Sequence, residues 1–325
     1  MMVASPENCD VHYPVMLSEV LDFLSPKDGG VYVDGTFGAG GYTSAILDKA
    51  DCTVYAIDRD ETVLERVAEL QERYGERFVF LRGCFGDVEA LLRDVGVEQI
   101  DGFVLDVGVS SMQLDQSGRG FSFREDGPLD MRMDTSSGGE TAADIVNTYE
   151  QEELANLIYE YGEERKSRQV ARKIIERRIE KPFSRTLDLA EVVRSVVPKS
   201  PKDKTDSATR TFQALRIAVN DEIGELERAL SAAETVLSKG GRLVVVSFHS
   251  LEDRCVKKFL QDKSQTGSRG SRHMPDVQVA GMPVFELLSR KAVKPSDEEV
   301  ASNPRSRSAR LRAASRLSVA EEGGV

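Results

Sequence analysis

"VYVDGTFGAGGYTSAIL", residues 31–47, begins with a short apolar run, passes through an acid and a group of glycines, and ends in a helical pattern. Strand, tight turn and helix are expected in that order. The same unit recurs outward. "TVYAID" (53–58), "RFVFL" (77–81) and "GFVLDV" (102–107) read as further strands, with helices expected near 40–48, 61–74 and 87–94. Strands alternating with helices predict βαβ units and a parallel sheet. The rhythm stops after Asp106 and resumes only at "RLVVVSF" (242–248). In between, 108–139 is rich in Gly, Ser and Asp and reads as ordered loop. Residues 150–181 and 187–197 read as helices broken at Gly162, Pro182 and Pro198. Residues 209–241 place Leu215, Val219, Ile223, Leu226, Leu230, Ala233 and Leu237 at three- and four-residue intervals, which predicts one long amphipathic helix capped by Gly240. "FELLSR" and "SARLRAASRL" are expected to close the sheet as a hairpin-like pair, and 264–283 to be a mobile loop.

The fold class is therefore α/β: a doubly wound, mostly parallel sheet with a mostly helical domain inserted after strand four. The expected boundaries are 1–113 and 213–325 for the two parts of the sheet domain and 114–212 for the insertion. A chain of 325 residues is long enough for such an arrangement. The N-terminus has no basic-then-apolar leader pattern, and no apolar run approaches the roughly 18 residues of a membrane span. Cys9, Cys52, Cys84 and Cys255 form no CxxC pair, and with only His12, His249 and His273 no metal site is expected. These features point to a reduced cytoplasmic location with no membrane partner. Nothing in the pattern fixes an oligomeric state. The net charge of −12 argues against a nucleic-acid binder, but the charge is segregated. Arg165, Lys166, Arg168, Arg172, Lys173, Arg177, Arg178, Lys181 and Arg185 face only Glu176 and Glu180, and 300–319 holds five arginines and no acid. A basic surface on an acidic body is compatible with RNA. Arg165, Arg168 and Arg172 form the candidate phosphate-binding stripe.

In a doubly wound sheet the cofactor lies across the carboxyl ends of the strands. The turn here, Asp34 to Gly41, is not G-x-G-x-x-G. A carboxylate at Asp34 would sit against the pyrophosphate of a dinucleotide, whereas S-adenosylmethionine brings a sulfonium and an ammonium instead. Asp58 is placed to accept from ribose hydroxyls, and Phe85 to pack on the adenine. The structural alternatives are that Asp34 caps its turn, Asp58 caps the next helix and Phe85 is core; Asp87 reads equally as a helix cap.

On the acceptor side, "LDVGVSSMQLD" (105–115) ends strand four with Asp106, a candidate to hold an N–H of an exocyclic amine and free its lone pair. Amino-methyltransferases often carry prolines and an aromatic here, and this chain has neither. Phe121 and Phe123 are candidates to stack on a base in their place, or else loop residues that fold back onto the core. His249, in "SFHSLED" (247–253), is the candidate to pass a proton outward. Three other readings stay open. They are a DNA amino-methyltransferase of the same fold, a non-catalytic ribosome-assembly factor, and, least favoured, an NAD-dependent oxidoreductase.

"HYPVML" (12–17), "DGTFGAGG" (34–41), "LDVGVSSMQLD" (105–115), "RGFSFREDGPLDMRMD" (119–134), "YGEER" (161–165), "ATRTFQALRIAVN" (208–220) and "SFHSLEDR" (247–254) resemble the bacterial RsmH (MraW) family. The resemblance spans roughly residues 11 to 317. It implies a class I S-adenosylmethionine-dependent methyltransferase acting on N4 of a decoding-centre cytidine in 16S rRNA, within the small ribosomal subunit. Its cofactor positions fall on Gly40, Gly41, Tyr42, Asp58, Phe85, Asp106 and Gln113. Position 42 is Tyr here where other members often have His.

Overall fold

In the computed structural model, residues 14–110, 113, 115–136, 138–198, 205–264 and 282–317 are described. Cys9, His12, His273 and most of the expected loop 264–283 lie outside them. Five parallel strands, β1 (Val31–Asp34), β2 (Thr53–Asp58), β3 (Phe78–Arg82), β4 (Ile100–Asp106) and β5 (Leu237–Ser247), run in one sheet with β6 (Phe285–Leu287) and β7 (Arg310–Arg316). The order is β3-β2-β1-β4-β5-β7-β6, with β7 antiparallel to both neighbours. Side chains alternate across the sheet as the period of two requires. Tyr32, Val104 and Val244 enter one apolar layer with Ile46 and Leu70, while Val33, Phe103 and Val245 enter the other with Leu226 and Leu230. Burial on both faces explains why these strands read as continuous apolar runs. The chain winds outward from β1 to β3 and then returns to β4, so the topological switch lies between β1 and β4. Ligands of such sheets bind there.

The helices before the insertion are α1 (Leu17–Leu24), α2 (Gly41–Lys49), α3 (Leu64–Tyr74) and α4 (Val88–Asp94). The insertion contributes α5 (Ala142–Thr148), α6 (Gln151–Gly162), α7 (Ser167–Glu180), α8 (Thr186–Val196) and α9 (Thr209–Asn220); α10 (Glu222–Val236), α11 (Ser250–Ser264) and α12 (Asp297–Ser302) follow. The expected single helix over 209–241 is two. Asp221 adopts a left-handed conformation, φ 49° and ψ 39°, which Asp tolerates better than most residues. Its carboxylate accepts from Arg228 at 2.8 Å. Periodicity cannot reveal such a break, because both helices keep an apolar face. Gly240 caps no helix. It lies at φ 79° where β5 slips against β4, between the pairs Ile100–Leu237 and Gly102–Arg242. The strands β6 and β7 do pair antiparallel, although α12 lies between them in the chain.

The insertion has its own apolar cluster, running from Phe121 through Ile158, Ile174 and Phe183 to Leu215, with Ala218 and Val219 against it. Its packing boundary is thus the Asp221 break rather than residue 212. A buried ion pair joins the cluster to the sheet. Asp60, just after β2, holds Arg119 at 3.0 Å and accepts from the Gln113 side chain at 2.7 Å. Arg119 also donates to the carbonyls of Met133 (2.8 Å) and Arg132 (3.1 Å). Asn220 secures the same loop, donating to Met131 O at 2.7 Å and accepting from Met133 N at 2.8 Å. Burial pushes the Asp60 carboxyl up, but Arg119 and Gln113 outweigh it and hold the group below its ordinary value. Removing one partner strands the other's charge in the interior. Asp60→Ala should therefore cost about 3–5 kcal/mol of stability in denaturant unfolding. A loss under about 1 kcal/mol would make this pair an ordinary surface contact.

Candidate active site

At the end of β1 the Asp34 carboxylate is fully buried and accepts from Thr36 N (3.2 Å), Thr43 N (3.2 Å) and Thr43 Oγ1 (2.7 Å). Burial lifts its pKa to about 6 despite these donors, with repulsion from Asp58 adding to it. It winds the turn and ties it to α2 and does not line the cleft, so the expected direct approach to a cationic cofactor gives way to a structural one. The turn itself needs its glycines. Gly40 sits at φ 73°, and a Cβ at Gly41 would lie 2.3 Å from Pro14 Cγ. Tyr42 is buried at the start of α2, and its hydroxyl donates to Val15 O. The N-terminal segment therefore lies directly against the turn, and Met16 N extends the contact by donating to Glu299 Oε1 at 2.8 Å.

Asp58 ends β2 and lines the cleft. One oxygen accepts from Gly38 N at 2.8 Å and the other from Asp60 N at 2.9 Å, which leaves lone pairs on both for a diol. Burial raises its pKa. Phe85 follows β3 in a 3-10 turn and lines the same cleft, whereas Asp87 is exposed and makes no capping hydrogen bond. The cleft, about 680 Å³, opens over the switch point between the 35–39 turn and the insertion.

On the far wall, Asp106 ends β4. Its backbone N–H donates to Thr36 Oγ1 at 2.7 Å, while its Oδ1 is buried without a hydrogen-bond partner. Burial raises this carboxyl well above its ordinary range, and Asp34 and Glu252 add repulsion. Gln113 accepts from Ser110 N at 3.0 Å and donates to Asp60, fixing the loop after β4. His249 stands beside Glu252, Nε2 to Oε1 at 2.8 Å, but off the hydrogen-bonding direction, so neither atom gains a hydrogen bond from the contact. The other Glu252 oxygen accepts from Phe248 N at 2.8 Å and His249 N at 3.2 Å. Glu222, His249 and Glu252 bring three potential ligand atoms within 4.8 Å of one another. The positive charge there belongs to Arg216, which grips Glu222 through two bonds of 2.7 Å and lines the cleft.

Other expected residues lie elsewhere. Phe121 is buried in the insertion's cluster, and Phe123 packs on Phe212 with ring centroids 4.5 Å apart, because the loop folds back onto α9. Neither lines the cleft, which corrects their placement as base stackers. Arg165 precedes α7, which starts at Ser167, so only Arg168 and Arg172 share the expected helical stripe. All three are exposed, with Arg172 3.9 Å from Glu176. Much of the basic run is engaged internally: Arg177 on Asp188, Arg185 on Asp126, and Arg178 on the carbonyls of Val146 and Tyr149. Spacing gave no signal for Arg216, Glu222 or Arg119, whose partners are distant in sequence or across a helix break. Glu252 stood inside a quoted motif but carried no signal of its own.

The model of the MraW methylase family matches residues 10–317. The chain belongs to the MraW methylase family. It is 59% identical over 309 residues to ribosomal RNA small subunit methyltransferase H of Rhodospirillum rubrum, covering 94% of both chains. It is likewise 59% identical over 306 residues to the protein of that name from Paramagnetospirillum magneticum, covering 94% and 95%. A solved structure of a rRNA methylase described as putative, from Clostridium thermocellum, aligns over 95% of this chain and 99% of that one with a TM-score of 0.44 and 10% identity, a likeness too slight to carry an argument. With its strand order, this MraW family member is a class I methyltransferase, and its cofactor is S-adenosylmethionine. The cleft fits that molecule: Asp58 offers free lone pairs, Phe85 an apolar face, and Asp106 a carboxylate that no described residue engages. No described helix is long and apolar enough to cross a membrane.

Asp58→Ala should weaken S-adenosylmethionine binding about tenfold or more in calorimetric titration, since hydrogen bonds to a charged acceptor are worth about 1.5–3 kcal/mol. An unchanged affinity in a folded variant removes Asp58 from the cofactor site.

Proposed function

We propose that this chain methylates the exocyclic N4 amine of a decoding-centre cytidine in 16S rRNA, in the cytoplasm, with the small ribosomal subunit presenting the target. The Asp106 carboxylate, which lines the cofactor cleft at the switch point and accepts no hydrogen bond from a described residue, carries the reading. An exocyclic amine is a weak nucleophile because its lone pair is delocalised into the ring. An acceptor fixed on one N–H orients the amine and favours release of that pair. S-adenosylmethionine supplies the electrophilic methyl. Asp106 holds the amine and accepts the proton it releases, and the Thr36 hydroxyl holds the Asp106 backbone; His249, expected to pass that proton outward, stands beside Glu252 and does not line the cleft. An amine inside a helix is out of reach, so the base enters splayed out of its stack. The ribosomal substrate is suggested by the names of the relatives, and the exposed Arg165, Arg168 and Arg172 would hold phosphates around the target.

Nucleoside mass mapping of rRNA from cells with and without the protein tests the reading. N4-methylcytidine should disappear from the small-subunit RNA, and its persistence would overturn the proposal. Asp106→Asn should lower turnover about 10²–10⁴-fold while RNA binding is kept. The ionised Asp106 is the stronger acceptor and can also take the released proton, and its pKa is raised, so the wild-type rate should climb with pH until the group has lost its proton. That limb should vanish in Asp106→Asn. A fall in turnover that only follows thermal stability would return Asp106 to a structural role.

Replacing Arg165, Arg168 and Arg172 together by Ala should weaken subunit binding with little dependence on sequence. The slope of log affinity against log salt should drop by up to ~0.9 per lost contact on duplex-like RNA or ~0.7 on single strands. Cofactor affinity should stay as it was. An identical salt slope would make this face a solvated one.

A further inference from the structure

We propose that Arg216 reads the N3 and O2 acceptors of the target base, so that Asp106 and Arg216 together select cytosine by its hydrogen-bonding edge. The inference rests on the functional reading above and deepens it.

Arg216 lies in the last turns of α9, and its side chain is 15% exposed. Its Nε donates to one oxygen of Glu222 and its Nη2 to the other, both at 2.7 Å. Glu222 is itself 3% exposed and opens α10, directly after the Asp221 break. The break turns Glu222 back toward α9, so the ion pair depends on it. A guanidinium has five N–H groups, and this side-on pair engages two of them. Both hydrogens of Nη1 and one of Nη2 remain, and Nη1 has no hydrogen bond to any described residue. One hydrogen of Nη1 and one of Nη2 point out of the end of the fork. Arg216 lines the same cleft as Asp106, whose carboxylate accepts no hydrogen bond from a described residue. The wall of the cleft thus offers a carboxylate acceptor and a rigid pair of donors.

Only one base edge complements that set. Cytosine presents an amine donor, then N3 and O2 as two acceptors. Adenine presents its amine and one acceptor, then a C–H that leaves a guanidinium donor unmatched. Guanine places an N–H beside its amine, and a guanidinium, always protonated, cannot accept it. Uracil puts a carbonyl oxygen against the carboxylate. A site built from buried polar groups rejects the wrong partner strongly, because its own groups are then left unpaired. Glu222 both fixes the fork and offsets its charge, so the donors are set before the base arrives.

The test places 3-deazacytidine, in which a C–H replaces N3, at the target position of small subunits reconstituted with ligated RNA. Methyl transfer is read as kcat/KM. The wild-type protein should lose about tenfold to a hundredfold on the deaza substrate, as for a lost hydrogen bond to a charged donor. Arg216→Lys keeps a charge beside Glu222 but loses the fork, and should treat both substrates alike within about threefold while binding S-adenosylmethionine normally. Equal use of both substrates by the wild type overturns the inference whether or not the variant folds. A deaza penalty of the same size in Arg216→Lys overturns it as well. In both cases N4-methylcytidine still forms on the natural subunit, and the functional reading stands. If the wild type forms none there, that reading fails and this one with it.

Discussion

The ion pair between Asp60 and Arg119 is the contact on which the site depends. Two charges in a position nearly closed to water are costly unless each is fully matched. Here Asp60 takes Arg119, Gln113 and the Thr62 backbone and hydroxyl, while Arg119 takes Asp60 and two carbonyls of the loop near Met133 and leaves only its Nε without a partner among the described residues. The contact joins the end of β2 to the loop after β4 and to the insertion. Other contacts, such as Arg82 with Asp134 and Glu163 with Arg254, also join the sheet to the helical cluster, but at partly exposed positions. With the buried pair the two form the walls of one cleft.

In and behind the wall of that cleft carboxylates are crowded. Asp34, Asp58 and Asp106 all come from strand ends that the parallel order sets side by side, and Glu252 approaches from the next helix. Burial and mutual repulsion push up the first three. Each is relieved differently: Asp34 by its threonine, Asp58 by two backbone amides, and Asp106 by nothing among the described residues at one of its oxygens. The contrast separates groups that hold the fold from one that waits for a partner. A cationic cofactor beside such a wall lowers the cost of ionising it.

The sheet was legible because buried parallel strands must be apolar runs and their crossovers must be helical. Asp58, Phe85, Asp106 and Gln113 were legible through their positions at strand ends or in recognised motifs. Other expectations failed where sequence distance hides a contact. Phe121 and Phe123 looked free because nothing local claimed them, yet the insertion's core does. The helix over 209–241 kept its apolar period across a break made by one left-handed Asp. The basic run looked like a single surface, but Arg177, Arg178 and Arg185 answer acids and carbonyls elsewhere in the fold. Arg216 was silent for the same reason, since its meaning comes from Glu222 across that break.

The contact of Pro14 with Gly41, and of Met16 N–H with Glu299, has a consequence for how the protein is made. The partners in the second contact are 283 residues apart, and Arg305, bound to Asp115 at 2.6 Å, adds another late segment to the rim of the same cleft. A ribosome releases the turn long before it releases those residues. The strands around the turn can pair as they emerge, but its outer support is not available until Glu299 and Arg305 have been made. The cofactor pocket is therefore completed late, together with the antiparallel pair β6 and β7, and a nascent chain cannot hold its methyl donor in finished form before Glu299 and Arg305 have emerged.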